Sequence, residues 1–242
     1  MLSGIAASSY WVYTGRLVVP ERFNPWAPLD VMAPPNFLTD YKLSRARAIP
    51  AKCLLALART AMTYDLLPDR VTAPGCGFVN AVRLRAAGVH IGSALTLSCP
   101  MALSFFMWER HALQPAAERN FGQRVAAVDH LGSYACRNVN RGEGSPPDAP
   151  EAPNRQRSRH ATADALDIAA FTLDSGQRIS VLKNWQNRNT GALPGPQEPQ
   201  AQMLAEAHEG ACRFFEGVLG PNYNAVHRDH FHLETGGYQM GR

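Results

Sequence analysis

The sequence predicts an α+β fold, a small antiparallel sheet flanked by helices. Three observations predict it. Helix-like and strand-like stretches follow one another without the regular strand–helix–strand alternation of a parallel sheet. Residues 165–182 place two apolar runs around Asp174-Ser175-Gly176, the pattern of a β-hairpin. Of the 242 residues, 45% are hydrophobic and 18% charged, enough for a core and too little charge for a disordered chain.

Residues 1–15 carry no charged side chain, and Arg16 ends the run. The run is too short to cross a bilayer, and no basic stretch precedes it. Residues 1–19 therefore read either as the remnant of an export signal or membrane anchor, giving membrane association through the N-terminus, or as a frayed end. Residues 20–50 hold Pro20, Pro25, Pro28, Pro34, Pro35 and Pro50, and read as an extended arm. The main domain is expected over 51–242.

Ala51 to Met62 reads as a short amphipathic helix, with Leu54, Leu55, Leu57 and Ala58. Ala73-Pro74-Gly75-Cys76-Gly77 is a turn cluster, and Ala81 to Leu84 alternates like a strand. Cys99 to Phe121 is the longest helix, with Leu103, Phe106, Met107 and Leu113 on one face. Arg124 to Val128 is a strand, and residues 137–159 form a long polar loop. Ala165 to Leu173 and Arg178 to Leu182 are the two hairpin strands. Residues 186–200 form another loop, Met203 to Leu219 a helix stopped by Gly220-Pro221, and His230 to Leu233 a last strand.

Composition narrows the function. Mean hydropathy is −0.23, and no apolar run reaches the ~18 residues of a membrane-spanning helix, which excludes a polytopic membrane protein. Net charge is +4 with a pI of about 8.9. That suits an anionic partner such as cell wall or phospholipid headgroups and does not call for nucleic acid. No P-loop, GxGxxG, GxSxG or HExxH motif occurs. Cys53, Cys76, Cys99, Cys136 and Cys212 form no CxxC pair. Dispersed cysteines fit either buried thiols of a cytosolic protein or disulfides of an exported one. With five, at most two intramolecular disulfides can form.

The histidines carry the remaining signal. His227-Arg228-Asp229-His230-Phe231-His232 packs three into six positions. On a strand His230 and His232 share one face, a fragment of a zinc site, whereas an isolated HxH is more often a surface cluster or a satisfied core pair. The second fragment runs from Ser158 through His160 to Asp167. His160 closes the long loop and Asp167 lies in an apolar strand, where an ionised carboxylate is costly unless paired or metal-bound. Taken alone, Asp167 would be an edge residue facing water, and Asp164 an ordinary turn residue.

Ser158-x-His160-x-x-Ala163-x-Ala165-x-Asp167 resembles the SxHxxGxAxD motif of the LAS-type zinc peptidases, the group of D,D-peptidases and murein endopeptidases. His230-Phe231-His232 resembles the group's HxH element. The wider chain resembles the bacterial extensin-like C-terminal family, through Asn24-Pro25-Trp26-Ala27-Pro28-Leu29-Asp30, Pro74-Gly75-Cys76-Gly77, Leu97-Ser98-Cys99-Pro100, Gly132-Ser133-Tyr134-Ala135-Cys136-Arg137 and Leu219-Gly220-Pro221-Asn222-Tyr223-Asn224. The resemblance runs from about residue 24 to the end.

It implies a zinc D,D-peptidase (hedgehog-like) fold with His160, Asp167 and His232 as the protein ligands of Zn²⁺. Three ligands leave a fourth position for water, the catalytic arrangement. The implied activity is a zinc metallopeptidase of the D,D- or L,D-type, an endopeptidase or carboxypeptidase, cutting peptide stems or cross-links of peptidoglycan. The implied location is the cell envelope, on the periplasmic side. For the general base two candidates stand: His230, which shares a strand face with His232, and Asp229, three before His232, where peptidases of the group place a glutamate. Arg137 resembles the arginine of the group's S-x-Y-R region, suited to a substrate carboxylate or an oxyanion; otherwise it is an ordinary loop arginine. The rival reading is a non-catalytic cell-wall-binding or scaffold protein on the same fold, and a third is a zinc hydrolase of some other amide.

The chain departs from the pattern in three places. Ala163 replaces the motif's glycine, which is tolerable if its φ is negative. Arg159 stands where relatives have an acidic or apolar residue. Gln239-Met240-Gly241-Arg242 stands where many relatives have Gly-x-Cys-Arg, which implies one family disulfide without its partner.

Overall fold

The computed structural model describes residues 10–16, 19–139, 156–186, 198–237 and 240–241. The parts of the expected loops at 140–155 and 187–197, and most of the uncharged N-terminal run, lie outside the described residues. The chain divides into two units, Met1–Thr60 and Ala61–Arg242.

The first unit contains a 3-10 turn at Glu21–Phe23 and helices α1 (Thr39–Ala48) and α2 (Pro50–Leu57). The arm over 20–50 is thus extended only in part. Its prolines fall before residue 36 and again at 50, so residues 36–49 are free of the residue that breaks helices. The Asn36 side chain accepts from the Leu38 amide at 2.8 Å, and Thr39 Oγ1 from the Asn36 amide at 2.8 Å, which sets the start of α1. Helix α2 begins on Pro50, whose missing N–H costs nothing at that position. It stops before the expected Met62 because the Thr60 amide and hydroxyl both take the Leu57 carbonyl, at 3.0 and 2.7 Å.

The second unit is mixed α/β, and its sheets are built mainly from antiparallel pairs. β1 (Thr63–Leu67), β4 (Ala81–Ala86) and β5 (Leu95–Ser98) make a three-stranded sheet in the order β1-β4-β5, and β2 (Arg70–Ala73) pairs with β3 (Cys76–Phe78). β3 occupies part of the expected turn cluster, leaving the turn itself to Pro74-Gly75, where Gly75 has φ +71°. Ser98 accepts from the Met101 amide at 3.2 Å and starts the long helix. That helix is α3 (Cys99–Trp108), a π-helical turn at Glu109–Leu113 and α4 (Gln114–Phe121), ended by Gly122 at φ +62°.

The larger sheet holds β6 (Val125–Gly132), β7 (Ala165–Leu173), β8 (Arg178–Ser180), β9 (Gly217–Leu219), β10 (Phe231–Glu234) and β11 (Met240–Gly241). Its order is β11-β9-β10-β7-β6, with β8 beside β7, and β11 joins β9 parallel. β7 fits the expected span and is interior, so Asp167 is no edge residue: it lies between His232 on β10 and Gly132 on β6. The hairpin's return strand ends at Ser180, whose amide donates to Asn184 Oδ1 at 2.9 Å as the chain turns into α5 (Val181–Asn184). The expected helix over Met203–Leu219 is α6 (Pro199–Ala211) followed by β9. Residues 217–219 pair with β10 instead, and that non-local pairing outweighs helical continuation.

Trp108 is fully buried between α6, where its Nε1–H donates to the Ala207 carbonyl at 2.9 Å, and the sheet, where its ring lies 6.1 Å from Phe171. Phe171 in turn meets Phe231 at 6.3 Å. A register shift opposite Asp129 and His130 inserts Ala169 into β7. This bulge lets Asp167 face away from Phe171 although the two are four residues apart. The core helices thus cover one face, and Asp167 and His232 stand on the other. Cys76 and Cys136 form a disulfide, Cys53 and Cys99 are each disulfide-bonded as well, and Cys212 is free and exposed. That agrees with the ceiling of two intramolecular bonds.

Candidate metal centre

His160 sits on a 3-10 turn, Arg159–Thr162, just before β7. Ser158 caps the turn, its hydroxyl accepting from the His160 amide at 3.3 Å, which gives the motif's serine a structural role. Ala163 closes the turn at φ +60°, in the left-handed region. The condition of a negative φ is therefore not met; the alanine bears strain that glycine would not, about 1–2 kcal/mol. Replacing it by glycine forfeits about 0.5–1 kcal/mol of chain entropy and about 0.8 kcal/mol of buried methyl. These terms nearly cancel. Ala163→Gly should leave the melting temperature almost unchanged, whereas Ala163→Val, β-branched at a fully buried position, should lower it by about 4–8 °C for a loss of about 2 kcal/mol. Thermal denaturation of the two variants checks this.

The three expected ligands come together. Donor atoms of His160, Asp167 and His232, all buried, lie within 4.8 Å of one another. His160 Nε2 is 3.1 Å from Asp167 Oδ2 and 3.3 Å from His232 Nδ1, and His232 Nδ1 is 2.8 Å from Asp167 Oδ1. A tetrahedral Zn²⁺ with bonds of ~2.0–2.1 Å needs its donors about 3.3 Å apart. Two imidazole nitrogens and a carboxylate oxygen at these separations fit zinc in kind and in spacing.

The outer nitrogens are held as metal-ligating histidines require. His160 Nδ1–H donates to the Ser133 carbonyl at 2.6 Å, leaving Nε2 for the centre. His232 Nε2–H donates to Glu234 Oε2 at 3.0 Å, leaving Nδ1. Glu234 was missed by the sequence reading, although it follows His232 by two residues and so shares its strand face. Its carboxylate occupies room left by two glycines: a Cβ on Gly217 would collide with Glu234 Cγ and come within 2.7 Å of Oε1, and one on Gly237 within 2.9 Å of Oε1. Glu234→Gln should weaken zinc binding about 10–100-fold, the usual cost of losing such a partner. Competition against a chelating indicator reads it directly.

Charge agrees with geometry. Burial alone would raise the Asp167 carboxyl, but hydrogen bonds from His160 and His232 outweigh it and hold the group well below the ordinary carboxylate range. Burial alone would lower His232, but hydrogen bonds to Asp167 and Glu234 outweigh it and push the imidazole up to about 9. At neutral pH a metal must displace that proton.

Of the two base candidates, His230 faces the centre and Asp229 stands behind it. His230 precedes β10 rather than opening it, yet its ring is buried, with Nε2 3.6 Å from Asp167 Oδ1. Its Nδ1–H donates to Asp229 Oδ1 at 2.8 Å. Asp229, the more exposed of the two, thus orients His230 and leaves Nε2 facing inward. Arg137 Nη2 is 3.7 Å from Asp167 Oδ2, at the partly open edge of the site. Its stretch is fixed by the Cys76–Cys136 disulfide and by the Ser158 amide donating to the Arg137 carbonyl at 3.1 Å. Arg159 is turned away and donates to the Gly236 carbonyl.

His227 is a further resident without an expected role. Its ring lies 5.2 Å from that of His230 and 5.7 Å from that of His232. Asn224 Oδ1 accepts from its Nδ1–H at 2.7 Å. Burial, then the neighbouring His232 and His230, lowers it to about 4, so it is neutral at physiological pH.

The family described as extensin-like protein C-terminus matches residues 51–242. No curated protein and no solved structure matches the chain.

Proposed function

We propose that the chain, which belongs to the extensin-like C-terminal family, is a zinc-dependent peptidase that hydrolyses amide bonds in the stem peptides or cross-links of peptidoglycan. The observation that carries the reading is the convergence of His160 Nε2, Asp167 and His232 Nδ1, with both histidines fixed from behind and a second histidine–carboxylate pair, buried His230 and half-exposed Asp229, beside them. A purely structural cluster needs no such pair. Zinc, when bound by His160, Asp167 and His232, supplies Lewis acidity, which makes water acidic near pH ~7 and polarises a carbonyl.

The protein's own groups supply the rest. His230 Nε2 takes a proton from the attacking water and returns it to the leaving amine. Asp229 keeps Nδ1 protonated, so that Nε2 is the free base. Arg137, at the edge of the site, binds a substrate carboxylate or the oxygen that gains charge. Peptidoglycan stems end in carboxylates and their cross-links are amides, so substrate and site are complementary. A location in the cell envelope, on the periplasmic side, is supported by the disulfides, which persist in oxidising compartments.

Digestion of purified peptidoglycan by zinc-supplied protein, with analysis of the released fragments, tests the reading. Newly freed amino and carboxyl groups at one kind of amide are expected. Tight retention on the wall without release would favour a wall-binding protein instead.

A further inference from the structure

The chain's charge and its exposed aromatic side chains are distributed very unevenly. Residues 1–60 carry seven Lys and Arg against three Asp and Glu, which is the whole net charge of +4; residues 61–242 carry seventeen of each. Of the eight large aromatic side chains that stand exposed among the described residues, seven belong to the first unit and only Tyr223 to the second. Phe37 is 79% exposed and Trp11 53%.

These rings are ordered against one another and against arginines. Phe23 stacks on Phe37 at 6.1 Å, with the Arg22 guanidinium 4.7 Å over Phe23. Tyr13 meets Trp26 edge-on at 5.8 Å. Arg45 donates to the Trp26 carbonyl at 2.8 Å and lies 5.8 Å over Tyr41. The Asn36 amide group donates to the Arg22 carbonyl at 3.0 Å, tying the segment that bears Phe37 to the one that bears Phe23. A soluble surface gains nothing from rigid exposed aromatics, so a concentration of them marks an interaction site.

We infer that this first unit docks on a bilayer surface rich in anionic phospholipid. Trp and Tyr, each apolar with one polar edge, favour the level of the headgroups. Phe23 and Phe37 are exposed and apolar throughout, so moving them from water into hydrocarbon is favourable. Arginine beside them meets lipid phosphate, and each basic residue near an anionic leaflet adds to the attraction. The inference is independent of the metal centre.

The test is co-sedimentation of the full chain with vesicles of phosphatidylcholine alone and of phosphatidylcholine mixed with phosphatidylglycerol. Binding to the mixed vesicles only, released by added salt, is expected. Arg22→Glu, Arg16→Glu and Phe37→Ala should each weaken it about tenfold with no change in melting temperature. Equal binding to both vesicles, variants that bind like the parent, or retention on insoluble peptidoglycan but not on vesicles would overturn the inference.

Discussion

His230→Ala should slow hydrolysis of peptidoglycan peptides by about 10²–10⁴-fold, the usual worth of a general base, while zinc stays bound. The expectation rests on two distances. His230 Nε2 stands 3.6 Å from Asp167 Oδ1, beside the ligand set, and Nδ1–H is held by Asp229 at 2.8 Å. The imidazole is therefore aimed at the centre without being needed to build it. Asp229→Ala should have a smaller effect, since it acts through the orientation of His230. The opposite pattern, a near-normal His230→Ala and a collapse for Asp229→Ala, would move the base to the carboxylate and require residues 229–230 to rearrange when substrate binds.

His232→Ala should lose zinc and hydrolysis together. Its Nδ1 is a donor of the centre, and its bonds to Asp167 and Glu234 link the metal-facing carboxylate to the group behind it. Removing it leaves only His160 Nε2 and Asp167, and two donors do not make a tight site. Zinc content and peptide release, measured on the same preparation, should both fall to background. The contrast with His230→Ala separates a ligand from a base in a way that activity alone does not.

What was legible in the sequence was local. Ser158 to Asp167 spans ten residues, and within it the strand carrying Asp167 follows from its apolar run, whereas the Ser158 cap and the 3-10 turn of His160 lie where the sequence reads as the end of the long loop. β7 was found because a continuous apolar run lay between a polar turn and Asp174-Ser175-Gly176. The pairing of Asp167 with His232, 65 residues apart, follows from the register of β10 on β7, and spacing does not encode that. The role of Ser133 was hidden because its backbone carbonyl, common to every residue, holds His160. Glu234 was visible in principle, as an acid on the same strand face as a ligand histidine. β9 was missed because three residues have too little pattern to outweigh the helix before them. α1 was missed because the prolines around it obscured a proline-free stretch.

Titration of chelator-stripped wild-type protein with zinc, with the bound metal's ligands read by X-ray absorption, tests the central claim most directly. The account predicts one tight site per chain with two imidazole nitrogens and a carboxylate oxygen from the protein, lost in Asp167→Ala. Protein that stays metal-free after zinc is supplied, or zinc bound equally well by Asp167→Ala, would contradict it.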